Sequence, residues 1–194
     1  MFYKGKKISG AAAPDTDFHG FGPAIREELA KRIPRGNLRV LDVGTGWGAN
    51  AVFLIHHLTQ GSKIWTVDPS DEVLANARAA LNEREASRIE FVHANADKLE
   101  FKDDFFDIVV SVMVMHHIED ARASITEMAR VLKRSGRLVI IDYKPEASLK
   151  LEFQSRHEEA DFFELEFIRA AAERAGLKPR ARDFGLWYLV EASK

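Results

Sequence analysis

The chain has 194 residues, 46% of them hydrophobic, with 28 lysines and arginines, 30 aspartates and glutamates, and a formal net charge of −2 at pH 7. This length and apolar content suit a single domain with one core, and the near-neutral charge provides no overall field that would hold nucleic acid. Because cysteine is absent, disulfides, thiolate nucleophiles and cysteine-ligated metals are excluded, as is typical of a reducing compartment. No apolar run has the length of a membrane span, and residues 1–10 lack the apolar segment of a signal peptide, so we expect a cytoplasmic protein with no membrane partner.

The first predicted elements lead into a turn that is rich in glycine. Residues 1–21 predict a flexible arm, because lysines, glycines and an Ala-Ala-Ala-Pro run are a poor basis for a regular element. Pro23 suits the first turn of a helix over 24–33, which Pro34 ends. The apolar run over 38–43 is typical of a strand buried on both faces of a parallel sheet. Glycine accepts positive φ and lets a ligand lie against bare backbone, and it follows this strand at Gly44, Gly46 and Gly48.

Strands and helices alternate through the rest of the chain. Further strands are predicted over 63–67, 89–92, 106–112 and 137–142, and further helices over 51–58, from a cap at Ser70 or Asp71 through 81, and over 121–132. We expect a loop with a short helix over 143–160, and then a helix with the apolar stripe Phe162, Phe163, Phe167, Ile168 and Ala171. The last two strands, 177–184 and 186–192, are joined through Gly185 without room for a crossover, so they should pair antiparallel.

This alternation predicts an α/β fold with one ligand-binding edge. We expect a doubly wound seven-stranded sheet, mostly parallel with an antiparallel C-terminal strand, and helices on both faces. Ligands of such sheets bind beyond the carboxyl ends of the strands, and acids stand at three of these ends: Asp42, Asp68 and Asp97. Taken singly, each acid suits a helix cap or a solvated loop end. Together, beside a glycine turn, they predict a ligand site.

The glycine turn by itself is compatible with two classes of cofactor. Gly44-Thr45-Gly46-Trp47-Gly48-Ala49 can be interpreted as the G-x-G-x-x-G/A pattern of a nicotinamide-dependent dehydrogenase, with Ala49 in the last place. Later motifs favour another class. Phe106-Asp107-Ile108-Val109-Val110-Ser111, the loop His116-His117-Ile118-Glu119-Asp120, the stretch over 130–138 and the final hairpin resemble the class I S-adenosylmethionine-dependent methyltransferases. The resemblance extends from about Ala24 to the last residue.

The resemblance implies S-adenosylmethionine as cofactor, S-adenosylhomocysteine as product, and a set of contacts along the carboxyl edge. Asp68 would accept hydrogen bonds from both ribose hydroxyls, a charge-assisted contact worth roughly 1.5–3 kcal/mol. Asp97 would accept from the adenine amine, the Ala96 backbone would contact a ring nitrogen, and a carbonyl near Ser111 would accept from the ammonium group. The other implied cofactor-binding residues are Asp42, Gly44, Thr45, Gly46, Pro69 and Asn95.

Methyl transfer from a sulfonium requires little chemistry of the protein, because it is an in-line displacement on an activated methyl group. Positioning supplies most of the rate. If a base takes part, His116 is the candidate, since a neutral imidazole accepts a proton near pH 7; the alternative is a packing role. The candidates for lining an acceptor pocket are His19, Met115 and Tyr143, and we predict no metal site.

The missing motifs narrow the acceptor to an oxygen, nitrogen or carbon nucleophile of a small molecule. Residues 111–114 read Ser-Val-Met-Val, not the Asn/Asp-Pro-Pro-aromatic signature with which some methyltransferases hold a planar amino group. Three alternatives stay open: an NAD-dependent oxidoreductase, a non-catalytic S-adenosylmethionine-binding module, and a methyltransferase acting on RNA. The last would use the basic residues Arg169, Arg174, Lys178, Arg180 and Arg182, although such a run is more often a solvated face. We expect a monomer or a homodimer.

Overall fold

A computed structural model describes residues 20–150 and 161–194, together with Phe18 and the two-residue strands Phe2–Tyr3 and Lys6–Lys7, which pair antiparallel. Most of the predicted arm, His19 included, lies outside the described residues. So do residues 151–160 of the segment that was predicted to contain a short helix.

Seven strands form one sheet, as predicted. They are β1 (Arg39–Val43), β2 (Lys63–Asp68), β3 (Ile89–His93), β4 (Phe106–Val112), β5 (Leu132–Tyr143), β6 (Lys178–Asp183) and β7 (Trp187–Ser193). Their order is β3-β2-β1-β4-β5-β7-β6, and β7 is antiparallel to both of its neighbours whereas β1 to β5 are parallel. The α/β fold class and the antiparallel C-terminal strand are therefore confirmed.

The helices cover both faces of this sheet. They are α1 (Gly22–Arg32), α2 (Ala49–His57), α3 (Asp71–Ala79), α4 (Glu83–Ala86), α5 (Ala121–Val131), α6 (Pro145–Lys150) and α7 (Leu165–Arg174), with a 3-10 turn at Met115–His117. Side chains alternate along each strand. In β5, Leu138 and Ile140 pack in a core with α5 and α7, whereas Val139 and Ile141 pack in a second core with α1 and α2. Both faces are buried, so the strands have continuous apolar runs.

The predicted cap at Ser70 is confirmed, but the helix that it begins is shorter than expected. The Ser70 hydroxyl accepts a hydrogen bond from the Val73 N–H at 3.3 Å. The helix ends at Ala79, and a new one begins because Asn82 and Glu85 form a capping box, with Oδ1 of Asn82 accepting from the Glu85 N–H at 3.0 Å. This reciprocal cap satisfies two helix-end donors and overrides the continuous apolar pattern.

Two further boundaries were predicted wrongly. Residues 133–136 were expected to separate α5 from a strand that begins at 137, yet β5 already begins at Leu132, which pairs with Phe106 before the register shifts. Lys133 holds this first part of β5 to β4 through Asp107, with 2.5 Å between Nζ and Oδ1. Phe162 and Phe163 both precede α7, which begins at Leu165. Phe162 stacks on His116, whereas Phe163 stacks on Phe167 within α7.

Candidate functional site

The glycine turn after β1 folds back onto the end of β2. The N–H groups of Gly44 and Thr45 donate to the Val67 carbonyl at 2.9 and 3.1 Å. Both bonds go to one carbonyl, that of the last residue of β2 paired with β1, and they direct the turn across the carboxyl edge of the sheet. As a result the Gly46 N–H lies 3.4 Å from Oδ2 of Asp68. The turn and the acid at the end of β2, predicted as parts of one site, are thus adjacent.

The first two glycines of the turn are required for different reasons. Gly44 has φ of 89°, and a Cβ placed there would lie 2.3 Å from Cγ2 of Val114. Gly46 has φ of 48°, but a Cβ placed on it meets no atom within 4 Å among the described residues. Gly44 therefore allows the loop after β4 to approach the turn closely, whereas Gly46 leaves open space beside its backbone. Val114, which forms this close contact, was not identified from the sequence.

Asp68 lies half-buried where the ends of β2 and β3 meet. Its Oδ1 accepts from the Ser70 N–H at 3.0 Å, and burial raises the pKa of this carboxyl while the N–H groups of Ser70 and Gly46 act against that rise. The backbone carbonyl of Asp68 accepts from the Ala94 N–H at 3.3 Å, which brings the segment after β3 alongside. Asp97, in that segment, is exposed. The two acids thus lie on the same edge of the sheet, as the sequence predicts.

The residues around these two acids follow the same edge. Pro69 connects Asp68 to the cap of α3, and Asn95 and Ala96 continue the turn that leaves β3. Asn95 is exposed and Ala96 is half-buried, so both are accessible to a ligand. The structure therefore brings together four of the predicted cofactor-binding residues on the β2–β3 side of the edge, besides Asp68 itself.

Asp42 is the last residue but one of β1, beneath the turn, and is fully buried. Thr66 donates its hydroxyl proton to Oδ2 of Asp42 at 3.0 Å, and Thr45 lies 2.8 Å from the Thr66 oxygen, so Thr45 is the donor of that second bond. Oδ1 of Asp42 has no hydrogen-bond partner in the described part of the chain. Burial raises the pKa of Asp42 to about 7, and the neighbouring Asp68 charge also raises it, although Thr66 and the Asn50 side chain lower it. Asp42 is thus a buried acid that holds a proton through part of the neutral range.

Ser111 lies inside the sheet, one residue before the end of β4. It pairs with Val43 of β1 and Ile140 of β5, and both neighbours belong to the core that faces α5 and α7. Its hydroxyl is buried and has no hydrogen-bond partner among the described residues. The side chain is therefore directed into the core, so the ammonium contact that the resemblance implies could come only from the backbone of Ser111.

The loop after β4 is anchored by Asp142, a residue that the sequence analysis did not select. Its Oδ1 lies 2.5 Å from Nδ1 of His116 and also accepts from the Tyr143 N–H at 2.7 Å. Its Oδ2 accepts from the N–H groups of Val114 at 3.1 Å and His116 at 3.4 Å. The side chains of Asp142 and His116 are each only 1% exposed. One signal was present in the sequence: like Asp42 and Asp68, Asp142 is an acid near the end of an apolar strand.

Aromatic rings surround His116. The Phe162 ring stacks on the imidazole with 5.3 Å between centroids and an interplanar angle of 5°, and the Tyr143 ring lies 5.7 Å away. The Asp161 N–H donates to the His116 carbonyl at 3.0 Å, which holds the segment before α7 over this ring. Met113, at the end of β4, has φ of 55°, a value that costs energy for a side chain of this size. This left-handed residue begins the turn that carries His116 towards Asp142.

The three residues predicted to line an acceptor pocket have different outcomes. His19 lies outside the described residues. Tyr143 is almost fully buried, and its ring lies close to His116. Met115 has no exposed surface and packs in the core with α5 and α7, a position that favours packing over substrate contact. The 3-10 turn directs neighbouring side chains apart, so Met115 points into the core while His116 meets Asp142.

The basic run, the possible metal ligands and the helix lengths can now be compared with the sequence-based expectations. Arg169 pairs with Glu166 and Glu173, and Arg182 pairs with Glu28 at 3.2 Å, so part of the basic run is neutralised within the fold. In the described ranges, no cluster of three or more histidine and acidic side chains is placed to hold a metal ion. Among the same residues, every helix is too short or too polar to span a bilayer.

Comparison with known proteins identifies the family. A family model described as a methyltransferase domain matches residues 41–140, just over half of the chain. The uncharacterized methyltransferase YcgJ of Bacillus subtilis is 34% identical over 120 residues, which are 61% of this chain and 46% of that protein. The ubiquinone/menaquinone biosynthesis C-methyltransferase UbiE of Pseudomonas putida is 36% identical over 110 residues, 56% of this chain and 43% of that one. The chain thus spans about half the length of the curated relatives that it matches.

Solved structures share the fold over a larger part of the chain. An S-adenosylmethionine-dependent methyltransferase from Aquifex aeolicus superposes with a TM-score of 0.77 and 22% identity, covering 93% of both chains. The YcgJ structure superposes with a TM-score of 0.69 and 27% identity, covering 83% of this chain and 71% of that one. The family match decides between the two classes that the glycine turn left open, in favour of the methyltransferases.

Proposed function

The chain belongs to the class I S-adenosylmethionine-dependent methyltransferases, and we propose that it transfers a methyl group to an oxygen, nitrogen or carbon atom of a small molecule. We also propose that residues 1–194 form one methyltransferase domain. S-adenosylmethionine is the cofactor, and S-adenosylhomocysteine is the product that remains after transfer.

One observation carries this proposal: the bond network that sets the Asp68 carboxylate beside the open backbone of Gly46. A half-buried carboxylate suits a ribose diol because it only accepts hydrogen bonds, and the diol offers two donors. A Cβ placed on Gly46 would meet no atom of the described residues within 4 Å, its two chain neighbours aside, which leaves room for the ligand. We assign Asp68 and Pro69 to the ribose, Asn95, Ala96 and Asp97 to the adenine, and Gly44, Gly46 and the Ser111 carbonyl to the amino acid end. The buried side chains of Asp42 and Thr45 serve that end indirectly, since their bonds to Thr66 support the turn from beneath.

The residues of the chain bind and orient the reactants and exclude water from them. When bound, the sulfonium cofactor supplies an activated methyl group. Holding the acceptor in line with that group contributes up to roughly 7–11 kcal/mol to lowering the barrier. We propose His116 as the general base for an acceptor that loses a proton, because its imidazole lies at the end of β4 beside the buried Asp142 carboxylate.

The rings of Phe162 and Tyr143, which lie beside His116, support a small aromatic acceptor. Phe18, Phe21 and Phe162 are partly buried and pack against the core that includes Tyr143. Rings of this kind bind planar apolar molecules well. The relatives that are named for ubiquinone and menaquinone biosynthesis support the same class of acceptor. We therefore propose a hydroxylated aromatic compound, such as a quinol, as the first acceptor class to test.

Calorimetry with S-adenosylmethionine and S-adenosylhomocysteine tests the cofactor site. We expect both to bind, and we expect D68N to weaken both. D104N is a matched control: Asp104 is an exposed acid before β4, at the opposite edge of the sheet, and its φ of 54° is one that asparagine tolerates. Failure of either ligand to bind the wild-type chain would overturn the proposal.

A panel of dihydroxyaromatic compounds, assayed by S-adenosylhomocysteine formation, tests the acceptor class. Turnover of any member supports a small-molecule methyltransferase and dismisses the non-catalytic binding module. Cofactor binding without turnover of that panel, combined with methylation of an RNA pool, would move the acceptor to nucleic acid.

A further inference from the structure

We propose that the tip of the C-terminal hairpin, Phe184-Gly185-Leu186, binds an apolar substituent of the acceptor, so that the preferred acceptor is a hydroxylated aromatic ring with a hydrocarbon tail. This preference rests on the proposed function, because it specifies the acceptor of that same site. It follows from where the hairpin turns, from the contacts that fix its tip, and from the pairing of the charges at its base.

The hairpin between β6 and β7 turns at the carboxyl edge of the sheet. Because β7 is antiparallel to β5, its first residue, Trp187, pairs with Tyr143, the last residue of β5. The N–H of Lys144 donates to the Leu186 carbonyl at 2.9 Å, which extends this contact by one residue beyond the strands. The Tyr143 ring in turn lies beside the His116 ring. The hairpin tip is therefore next to the proposed site of methyl transfer.

Two stacked rings and a glycine give the tip a fixed shape. The Phe184 ring stacks on Trp187 with 3.9 Å between centroids and an interplanar angle of 4°, and the Arg182 guanidinium lies 5.2 Å from the centroid of the Phe184 ring. Gly185 has φ of 91°, a value that favours glycine, and its N–H donates to Oδ1 of Asp183 at 2.8 Å. A surface that is ordered in this way loses little conformational freedom when a ligand binds to it.

The first turn of α1 lies beside the same part of the edge. The carboxylate of Glu28 contacts Arg182 at 3.2 Å, and the last residue of α1 is bonded to β5 where β5 begins to pair with β7. Towards the carboxyl edge, α1 rises about 10 Å from Glu28 to Phe21, and β6 rises about 7 Å from Arg182 to Phe184. Phe21 and Phe184 are both half-buried and pack against one core. Their exposed parts form two apolar surfaces at this edge.

The charged side chains at the base of the hairpin are paired within the protein. Nζ of Lys144 lies 2.9 Å from Oδ2 of Asp183 and 3.8 Å from Oε1 of Glu146. Arg182 is paired with Glu28. A charged group of a ligand would have to compete with these pairs, whereas a hydrocarbon gains by covering the apolar ring and leucine surface. The charge pattern therefore fits an uncharged, apolar occupant.

These contacts assign the two parts of the acceptor to two parts of the fold. The hydroxylated ring lies beside Tyr143 and Phe162, near His116, and the tail extends from there to the half-buried side chains of Phe184 and Leu186. The rings on the sheet edge select a planar acceptor, and the hairpin tip selects among planar acceptors by their tails.

A pair of acceptors that differ only in a tail tests this preference in the complete chain. Resorcinol has the ring alone, and 4-hexylresorcinol adds six carbons. Each buried methylene raises affinity about fourfold, so a tail that is half covered should lower KM about 60-fold relative to resorcinol. F184A and L186S should each reduce this ratio about fivefold or more. The kcat for resorcinol and the S-adenosylmethionine Kd should change by less than about threefold, because both depend on other residues.

Two further variants control for the stability of the fold. F184L keeps an apolar side chain and should keep most of the preference. F53A removes a comparable ring, since Phe53 is half-buried, packs against the same core and stacks on His57 at the end of α2; the KM ratio should not change. L186S keeps both stacked rings of the hairpin, so it tests the tail contact where F184A fails to fold. Equal KM values for the two acceptors in wild type, or an unchanged ratio in L186S, would overturn the inference.

NMR of the backbone amides separates this inference from the proposed function. Added to the wild-type chain without a methyl donor, 4-hexylresorcinol should shift the Gly185 amide signal more than resorcinol does, and L186S should reduce that shift. A shift at Gly185 in a chain that binds no S-adenosylmethionine would support the hairpin site and contradict methyl transfer. The absence of a shift at Gly185 in wild type would overturn the hairpin site, whatever the chain methylates.

Discussion

Replacing Asp42 by asparagine should stabilise the protein increasingly as the pH rises. In the unfolded chain this carboxyl titrates near its ordinary value of 3.8, whereas burial raises its pKa to about 7 in the fold. Below pH 3.8 the carboxyl is protonated in both the folded and the unfolded chain, so its titration does not lower the free energy of unfolding. Between these values the fold keeps a proton that the unfolded chain releases, so the free energy of unfolding falls as the pH rises, and the loss is complete above pH 7.

The size of the effect follows from the two pKa values. A separation of about three units corresponds to about 4 kcal/mol at high pH, of which about 3 kcal/mol is lost between pH 5 and pH 8. Asparagine keeps an oxygen for the Thr66 hydroxyl, but its amide replaces Oδ1, which makes no well-formed hydrogen bond in the described chain and for which Asn50 is the nearby donor. That unsatisfied amide costs about 1–3 kcal/mol at every pH. The quantity to measure is therefore the free energy of unfolding of D42N minus that of wild type, and how this difference changes with pH.

Urea unfolding of wild type and D42N at pH 5, 6, 7 and 8 gives that quantity. We expect the stability of D42N relative to wild type to rise by about 3 kcal/mol from pH 5 to pH 8, or by about 6–12 °C in Tm. D104N is the control. Lys194 lowers the pKa of Asp104, so that carboxyl is ionised from pH 5 upwards in the folded and in the unfolded chain, and the stability difference between D104N and wild type should not change with pH. If the free energies of unfolding of wild type and D42N changed with pH in parallel, burial would not raise the pKa of Asp42.

Three further substitutions test the turn, the ribose contact and the attachment of α1. G44A should abolish S-adenosylmethionine binding in calorimetry, because its Cβ would lie 2.3 Å from Val114; retained affinity would contradict the close approach. D68N should raise the Kd of S-adenosylmethionine about 10- to 150-fold, the equivalent of roughly 1.5–3 kcal/mol, and an unchanged Kd would remove Asp68 from the site. E28Q removes the carboxylate that contacts Arg182 of β6 at 3.2 Å and Arg32 within α1 at 2.7 Å, while Glu191 still lies 3.3 Å from Arg32, so urea unfolding should show a loss of about 1.5–3 kcal/mol; a loss below about 1 kcal/mol would refute this.

The sequence alone determined the elements of this protein and the edge on which its ligands bind. Apolar runs with β-branched residues specify strands that are buried on both faces, and the helices between them require parallel crossovers. Once the strands are parallel, their carboxyl ends must meet at one edge. Asp42, Asp68 and Asp97 were therefore placed together from chain order alone, and the structure brings them to that edge.

Only the tertiary structure decided how residues that are distant in sequence meet. Asp142 contacts His116 across 26 positions, and Val114 covers Gly44 across a strand boundary, because β5 and β1 flank β4 in the strand order. Local sequence patterns indicate which residues are buried and whether a segment is a helix or a strand. They do not indicate which strands are neighbours in the sheet or in which direction a loop side chain points. For the same reason Met115 was expected in a pocket and lies in the core. Its direction depends on a left-handed residue and a 3-10 turn that no local periodicity encodes.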